Sequence, residues 1–161
     1  MTSSKKQTNG FTIIEVMIVL AIAGLIMLIV FLAVPTLQRT ARNTQRKNDA
    51  AAALQSVNEY LSNNGGTLPA SATFASPTFT VGAAATAQST AKMGYYTSGV
   101  TLSTSYAAQA ATPTDTLTIY EATKCANATT SASGTARQIA AVYAVEAPGT
   151  ASGYAWQCQE S

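Results

Sequence analysis

The chain has 161 residues, with 9 Lys+Arg, 7 Asp+Glu, no His and a formal net charge of +2. This length suits one domain plus an appendage, and the charge gives no strong electrostatic reason to bind nucleic acid. Without His, the commonest general base and metal ligand is missing. Because the sequence also has no phosphate-binding glycine motif and no calcium loop, we expect neither an enzyme nor a bound cofactor or metal.

The first segment, residues 1–10, is polar, contains Lys5 and Lys6 and ends at Gly10. An apolar block opens at Phe11, and every residue from Val16 to Val34 is apolar if glycine is counted. A helix rises about 1.5 Å per residue, so this run alone spans about 28 Å, close to the hydrocarbon thickness of a bilayer. Residues 11–34 are therefore predicted to form a transmembrane helix.

Three interpretations of this N-terminus compete. An ordinary signal peptide needs a small-residue cleavage site after a short apolar core, but the Ala21-x-Ala23 match lies in the middle of the run. The other two are an uncleaved signal anchor and a leader cut after Gly10. The basic residues conflict with export of the C-terminal part. Four follow the span and only two precede it, and an excess of basic residues is typical of the cytoplasmic side. The four are Arg39, Arg42, Arg46 and Lys47.

The helix is predicted to continue beyond the membrane segment as an amphipathic helix over residues 35–65. Pro35 should kink it, because proline lacks an N–H and clashes with the preceding turn. An apolar stripe then recurs at helical spacing, and residues 63–66 form a stop of two asparagines and two glycines. The stripe consists of Ala50, Leu54, Val57 and Leu61. The predicted helix is about 50 residues long in total.

Residues 66–161 are predicted to form a β-sheet head, giving an α+β fold in which a small antiparallel sheet packs on the helix. Alternation predicts strands over 116–121, 138–146 and 152–159. We expect 74–81 to be irregular or an edge strand because it contains a proline. Residues 82–91 and 127–134 are predicted loops, and Pro148-Gly149 a turn.

Cys125 and Cys158 are the two cysteines, both in the head. In an exported domain such a pair is typical of a structural disulfide, which on the chain-entropy model stabilises by about 3.5–4 kcal/mol. The alternative is two unrelated buried thiols. The hydroxyl-rich tail also favours export, and for these two reasons we place the head outside the cytoplasm despite the basic residues.

Glu15 is an acid inside the apolar block, and an isolated carboxylate at mid-bilayer depth costs about 2.5–3.5 kcal/mol on insertion scales. No basic residue lies within reach on the same helix. A cut between Gly10 and Phe11 would create an α-amine, and a second copy shifted along the axis could bring that amine to Glu15. A simple anchor with a snorkelling carboxylate is the alternative.

The run Gly10-Phe11-Thr12-Ile13-Ile14-Glu15, followed by the apolar segment to Val34, resembles the class III signal of type IV pilins. The resemblance implies cleavage after Gly10 by a prepilin peptidase, N-methylation of Phe11, and a role for Glu15 in neutralising a neighbour's N-terminus during assembly. Gly24 also matches the helix glycine of that family. Pro35 lies about one turn later than the usual proline, which leaves open where the helix softens between Gly24 and Pro35.

The same resemblance implies a function: the major structural subunit of a type IV pilus, used for adhesion or twitching motility. The partners would be further copies in a helical filament, the peptidase, and a membrane platform with motor ATPases. The precursor would sit in the cytoplasmic membrane and the product on the cell surface. The alternatives are a minor pilin, a type II secretion pseudopilin, or a signal-anchored surface binding protein for adhesion or DNA uptake.

Three further features have plain interpretations. The four basic residues after the span are expected to form a solvated helix face with headgroup contacts rather than a nucleic-acid site. Asn127-Ala128-Thr129 matches a glycosylation sequon, a pattern short enough to arise by chance. Trp156 and the tyrosines are expected to be core and subunit contacts.

Overall fold

The structure is a computed structural model that describes residues 10–83, 88–110 and 112–161. Lys5 and Lys6 therefore lie outside the described residues. The chain divides into two compact units, with the boundary between Arg39 and Thr40. One helix, α1 (Ile13–Asn63, 51 residues), contributes to both units. The helix is followed by small β-sheets, which confirms the predicted α+β, pilin-like fold.

The end of α1 agrees with the predicted stop. Gly65 and Gly66 both have positive φ angles, 64° and 82°, and glycine adopts this conformation without steric cost. The amide of Gly66 donates to the carbonyl of Leu61 at 2.7 Å, and that of Asn64 to Tyr60 at 3.0 Å. These bonds satisfy carbonyl groups that the helix end would otherwise leave without a donor.

In the first unit, α1 presents its apolar side chains to the surroundings. The helix contains a stretch long and apolar enough to cross a membrane, and none of that stretch is buried within the structure. Pro35 lies inside α1, and the assigned helix continues through it. The kink at Pro35 stays a prediction.

In the second unit, α1 buries one face against the head. Ala50, Leu54 and Val57 of the predicted stripe are buried, and Leu61 is half-buried. The same face also buries polar residues, which the apolar pattern did not predict. The full set is Arg46, Asp49, Ala50, Ala53, Leu54, Ser56, Val57 and Tyr60.

The head contains nine strands in the described residues. They are β1 (Ala72–Ala75), β2 (Thr78–Val81), β3 (Ser89–Lys92), β4 (Val100–Ser103), β5 (Leu117–Glu121), β6 (Thr123–Asn127), β7 (Thr130–Ser133), β8 (Ile139–Glu146) and β9 (Tyr154–Glu160). They form a three-stranded sheet β1-β2-β3, a four-stranded sheet β4-β5-β8-β9 and the hairpin β6-β7. All pairs are antiparallel except β4 with β5.

The predicted strands over 116–121, 138–146 and 152–159 are confirmed as β5, β8 and β9. The main sheet differs from the antiparallel prediction because β4 runs parallel to β5. Two parallel neighbours need a long connection, here residues 104–116. The indole N–H of Trp156 donates to the carbonyl of Ala110 in that connection at 2.8 Å.

Two local predictions were wrong and one was right in part. The segment 74–81 was expected to be irregular or an edge strand. It contains the end of β1, which is an edge strand, and the central strand β2, and Pro77 lies in the turn between them, where no ladder hydrogen bond is lost. The predicted loop 82–91 ends in β3, whose Ser89 and Ala91 are buried. The predicted loop 127–134 contains β7, paired with β6. This hairpin is built from small and hydroxyl side chains, so it carries no apolar alternation to signal a strand.

The core lies between the buried face of α1 and the two larger sheets. Leu117, Ile119 and Ile139 from the main sheet join Phe79 and Val81 from the smaller one, and all five are almost completely buried. Six consecutive residues at the start of β8 are buried, so both faces of this central strand are covered. The head thus has a packed interior of its own.

Candidate functional site

The bond predicted to be cut lies just before the start of α1. Gly10, Phe11 and Thr12 have no regular secondary structure, and the helix begins at Ile13. Phe11 is 90% exposed. The Gly10–Phe11 peptide bond is therefore an exposed, non-helical link between the leader and the apolar helix, a form of backbone that a peptidase can bind.

Thr12 and Glu15 form a capping box at the first turn of α1. One carboxylate oxygen of Glu15 accepts a hydrogen bond from the Thr12 amide at 2.8 Å and from the Thr12 hydroxyl at 2.7 Å. The Thr12 hydroxyl in turn accepts a hydrogen bond from the Glu15 amide at 3.4 Å. Such a box satisfies helix N–H groups that have no partner in the preceding turn.

Thr12 is thus a partner for Glu15 within the same chain, where no basic residue was expected. The sequence reasoning considered basic residues only and missed Thr12. The signal was readable, since a Thr followed three residues later by Glu before an apolar run is the capping-box pattern. The Glu15 carboxylate is therefore held by local hydrogen bonds within its own chain.

Beside Glu15 lies an open apolar groove of about 510 Å³, lined by Phe11, Glu15, Val16, Val19 and Leu20. From there the exposed apolar surface continues along the helix as far as Leu37. In this stretch the large exposed side chains are Ile13, Ile14, Val16, Met17, Ile18, Val19, Leu20, Ile22, Leu25, Ile26, Met27, Leu28, Ile29, Val30, Phe31, Leu32, Val34 and Leu37. Such a continuous apolar surface needs lipid or other protein around it.

In the head, Asp49 of α1 holds a turn of the chain. Its carboxylate accepts hydrogen bonds from the consecutive amides of Gly94, Tyr95 and Tyr96, at 2.7, 2.8 and 3.1 Å. Asp49 is 4% exposed. Charged acceptors make stronger hydrogen bonds than neutral ones, so this residue ties the connection between β3 and β4 to the helix.

Arg46 lies one turn before Asp49 and is completely buried. Its guanidinium donates to the Tyr95 hydroxyl at 2.5 Å, lies 3.2 Å from the Asp115 carboxylate and stacks over the Tyr95 ring at 4.4 Å. Burial lowers the pKa of the guanidinium, but the Tyr95 bond and the Asp115 charge outweigh it, and the pKa lies above its ordinary value. The prediction of a solvated basic face is wrong for Arg46, because its charge is paired inside the head.

Arg42 and Asn43 bind the far end of β8. Arg42 makes a two-pronged ion pair with the Glu146 carboxylate, at 2.5 and 2.7 Å. This contact raises the pKa of Arg42. The Asn43 amide exchanges two hydrogen bonds with the backbone of Glu146, at 2.8 and 3.0 Å. Arg42 and Arg46 are thus counter-ions of head carboxylates, which weakens their use as an orientation signal.

Cys125 and Cys158 form a disulfide with a Cα–Cα distance of 5.7 Å. It joins the β6-β7 hairpin to β9, next to a backbone bond from the Cys158 amide to the Ala128 carbonyl at 2.8 Å. The bridge closes the C-terminal part of the head. It lies in a different unit from Gly10, Phe11 and Glu15.

An exposed apolar helix long enough to cross a membrane, followed by a folded head, fits a membrane-anchored precursor. The family model of the prokaryotic N-terminal methylation motif matches residues 5–31. The resemblance to the class III signal of type IV pilins is thereby confirmed, and the match supports a type IV pilin-like or pseudopilin precursor. Comparison with curated proteins and with solved structures gives no match for the chain.

Proposed function

We propose that this chain is the major structural subunit of a type IV pilus. It is inserted in the cytoplasmic membrane, cut between Gly10 and Phe11, methylated on the Phe11 amine and polymerised into a surface filament for adhesion or twitching motility. The observation that carries the proposal is the exposed apolar helix with one carboxylate, Glu15, near the new N-terminus. A prepilin peptidase, a membrane platform and motor ATPases would act on it.

The apolar surface explains why the subunit would leave the membrane only into a polymer. Exposing one large apolar side chain to water costs about 1.5–3 kcal/mol, so the surface from Ile13 to Leu37 would cost tens of kcal/mol if it were extracted alone. Neighbouring helices can replace lipid without this cost. Association in lipid then depends on packing and on polar contacts between helices.

Glu15 supplies the polar contact that fixes the stagger. Cleavage leaves a cationic amine on Phe11 of each copy, and two unit charges 4 Å apart attract by about 4 kcal/mol at an effective dielectric constant of 20. A neighbour's amine would therefore compete with the neutral hydrogen bonds that Thr12 gives to Glu15. The exchange from Thr12 to a neighbour's amine would mark the change from membrane subunit to filament subunit.

The test is the variant Glu15→Ala in the cells that produce the chain. We expect normal membrane insertion and cleavage after Gly10, but at least a tenfold loss of subunit from the sheared filament fraction. Gln55→Ala is the matched control, because Gln55 is an exposed polar residue on the same helix beyond the apolar segment. Wild-type amounts of filament from Glu15→Ala would overturn the proposed assembly mechanism.

The major-subunit role has a separate test. Sheared filaments should consist mainly of this chain, as measured by quantitative mass spectrometry of the filament fraction. A content of a few per cent would identify a minor pilin or pseudopilin instead.

A further inference from the structure

One motif is not used by the assembly mechanism: Asn127-Ala128-Thr129 at the tip of the β6-β7 hairpin. Asn127 is the last residue of β6, and Ala128 and Thr129 form the turn before β7 begins at Thr130. All four residues are exposed. No other asparagine in the sequence is followed by Ser or Thr two positions later. From the geometry of this tip we infer that Asn127 is an N-glycosylation acceptor, the donor being a polyprenyl-diphosphate-linked oligosaccharide.

The hydrogen bonds at the tip leave the reacting atom available. The side-chain oxygen of Asn127 accepts from the Thr129 amide at 2.8 Å, from the Thr129 hydroxyl at 2.9 Å and from the Thr130 amide at 2.9 Å. In the part of the chain that the structure describes, no residue accepts a hydrogen bond from Asn127 Nδ2. Three donors on the oxygen draw electron density from the carboxamide, which makes the Nδ2 protons more acidic.

The hairpin presents this group at a fixed place on the outer surface. Two residues before Asn127, Cys125 is bonded to Cys158 of β9. The carbonyl of Ala128 is also held by the Cys158 amide at 2.8 Å. The residues of the tip itself, Ala128, Thr129 and Thr130, are small or carry hydroxyl groups and are exposed, so they leave room for a bulky polar glycan. The site would add a hydrophilic cover beside the disulfide.

The transfer balances as follows. Nδ2 of Asn127 forms a bond to C1 of the first sugar while the bond from C1 to the diphosphate oxygen breaks. The polyprenyl diphosphate leaves with the electron pair, and one Nδ2 proton passes to a basic group of the transferase. The inference rests on the proposed function only in that the head must be on the outer side of the membrane, where such donors are displayed.

The experiment maps one peptide of the full chain isolated from its own cells. After reduction and alkylation, trypsin should release residues 125–137, because Lys124 and Arg137 precede the two cleavage points. The wild-type peptide should carry a glycan on Asn127, identified by sugar fragment ions in tandem mass spectrometry. Asn127→Gln and Thr129→Ala should lose it, whereas Thr129→Ser, which keeps the hydroxyl, should retain it. Asn63→Gln, an exposed asparagine without the motif, is the matched control.

Each outcome decides between distinct conclusions. Before reduction, an oxidised Cys125–Cys158 pair and labelling of the head by an impermeant reagent on whole cells report export independently of glycosylation. An exported, oxidised head with an unmodified 125–137 peptide overturns the inference and leaves the proposed function standing. A glycan that persists in Asn127→Gln, carried on a hydroxyl of the same peptide, also overturns it. A head that is not exported contradicts both.

Discussion

Asp49→Ala tests whether buried polar contacts, and not only the apolar stripe, hold the head on α1. The carboxylate accepts three backbone hydrogen bonds, at 2.7, 2.8 and 3.1 Å. A hydrogen bond to a charged group contributes about 1.5–3 kcal/mol, and the contributions are not fully additive. Since domains are stable by about 5–15 kcal/mol, we expect a loss of about 3–5 kcal/mol in the free energy of unfolding. Asp49→Asn keeps one of the two acceptor oxygens, so its loss in the free energy of unfolding should be about half that of Asp49→Ala.

The assay is urea unfolding of the full chain in detergent micelles, followed by the fluorescence of Trp156, the one tryptophan in the sequence. With a slope of about 2 kcal/mol per M, the midpoint should fall by about 2 M. Asn48→Ala is the control, because Asn48 is the exposed neighbour on the same helix, and its midpoint should not change. A midpoint for Asp49→Ala within about 0.3 M of wild type would refute the reasoning.

Three further predictions concern other contacts. Burial raises the pKa of Glu121 from 4.5 to about 7, so head stability should fall by up to about 3 kcal/mol as pH rises through that window. Glu121→Gln should remove this pH dependence of the free energy of unfolding, measured by urea unfolding at a series of pH values from 4 to 8. An unchanged pH dependence in the variant would contradict the prediction. Arg46→Ala removes a completely buried side chain together with its bond to the Tyr95 hydroxyl and its charge beside Asp115, and the cavity it leaves should cost about 2–5 kcal/mol; a loss below about 1 kcal/mol would show the cluster to be unimportant. Thr12→Val removes the hydroxyl that competes with a neighbour's amine for Glu15, so it should permit cleavage and keep filament yield at or above that of wild type and of Thr12→Ser; a yield well below that of Thr12→Ser would contradict the proposed exchange.

The long helix could be predicted because its signals are local. An apolar run, helical spacing of Ala50, Leu54 and Val57, and paired glycines at the end all lie in one stretch of sequence. The N-terminal motif is equally local, and Thr12 could have been included on the same grounds. The processing and assembly roles of Gly10, Phe11 and Glu15, and the division of the chain at residues 10, 34 and 65, stay predictions.

The contacts that hold the head could not be predicted, because their partners are distant in sequence. Asp49 binds amides 45 to 47 positions away, and Arg42 pairs with a carboxylate 104 positions away. One signal was available: Arg46 and Asn43 continue the apolar stripe at helical spacing from Ala50. A polar residue on such a stripe indicates a buried partner.

The hairpin β6-β7 could not be predicted for a different reason, because it has no buried apolar face. Its strands bury few side chains, and the hairpin is held by the disulfide and by a backbone bond from β9 to the Ala128 carbonyl instead of by an apolar face. Sequence patterns detect strands through burial on one face, so a strand stabilised by other means gives no signal.

A cryo-electron microscopy map of sheared surface fibres, at a resolution that shows side chains, tests the central claim most directly. The account predicts chains that begin at Phe11, with each Glu15 carboxylate within about 4 Å of the Phe11 amine of a neighbouring subunit. Density for residues before Phe11, or a Glu15 that contacts only Thr12 of its own chain, would contradict it.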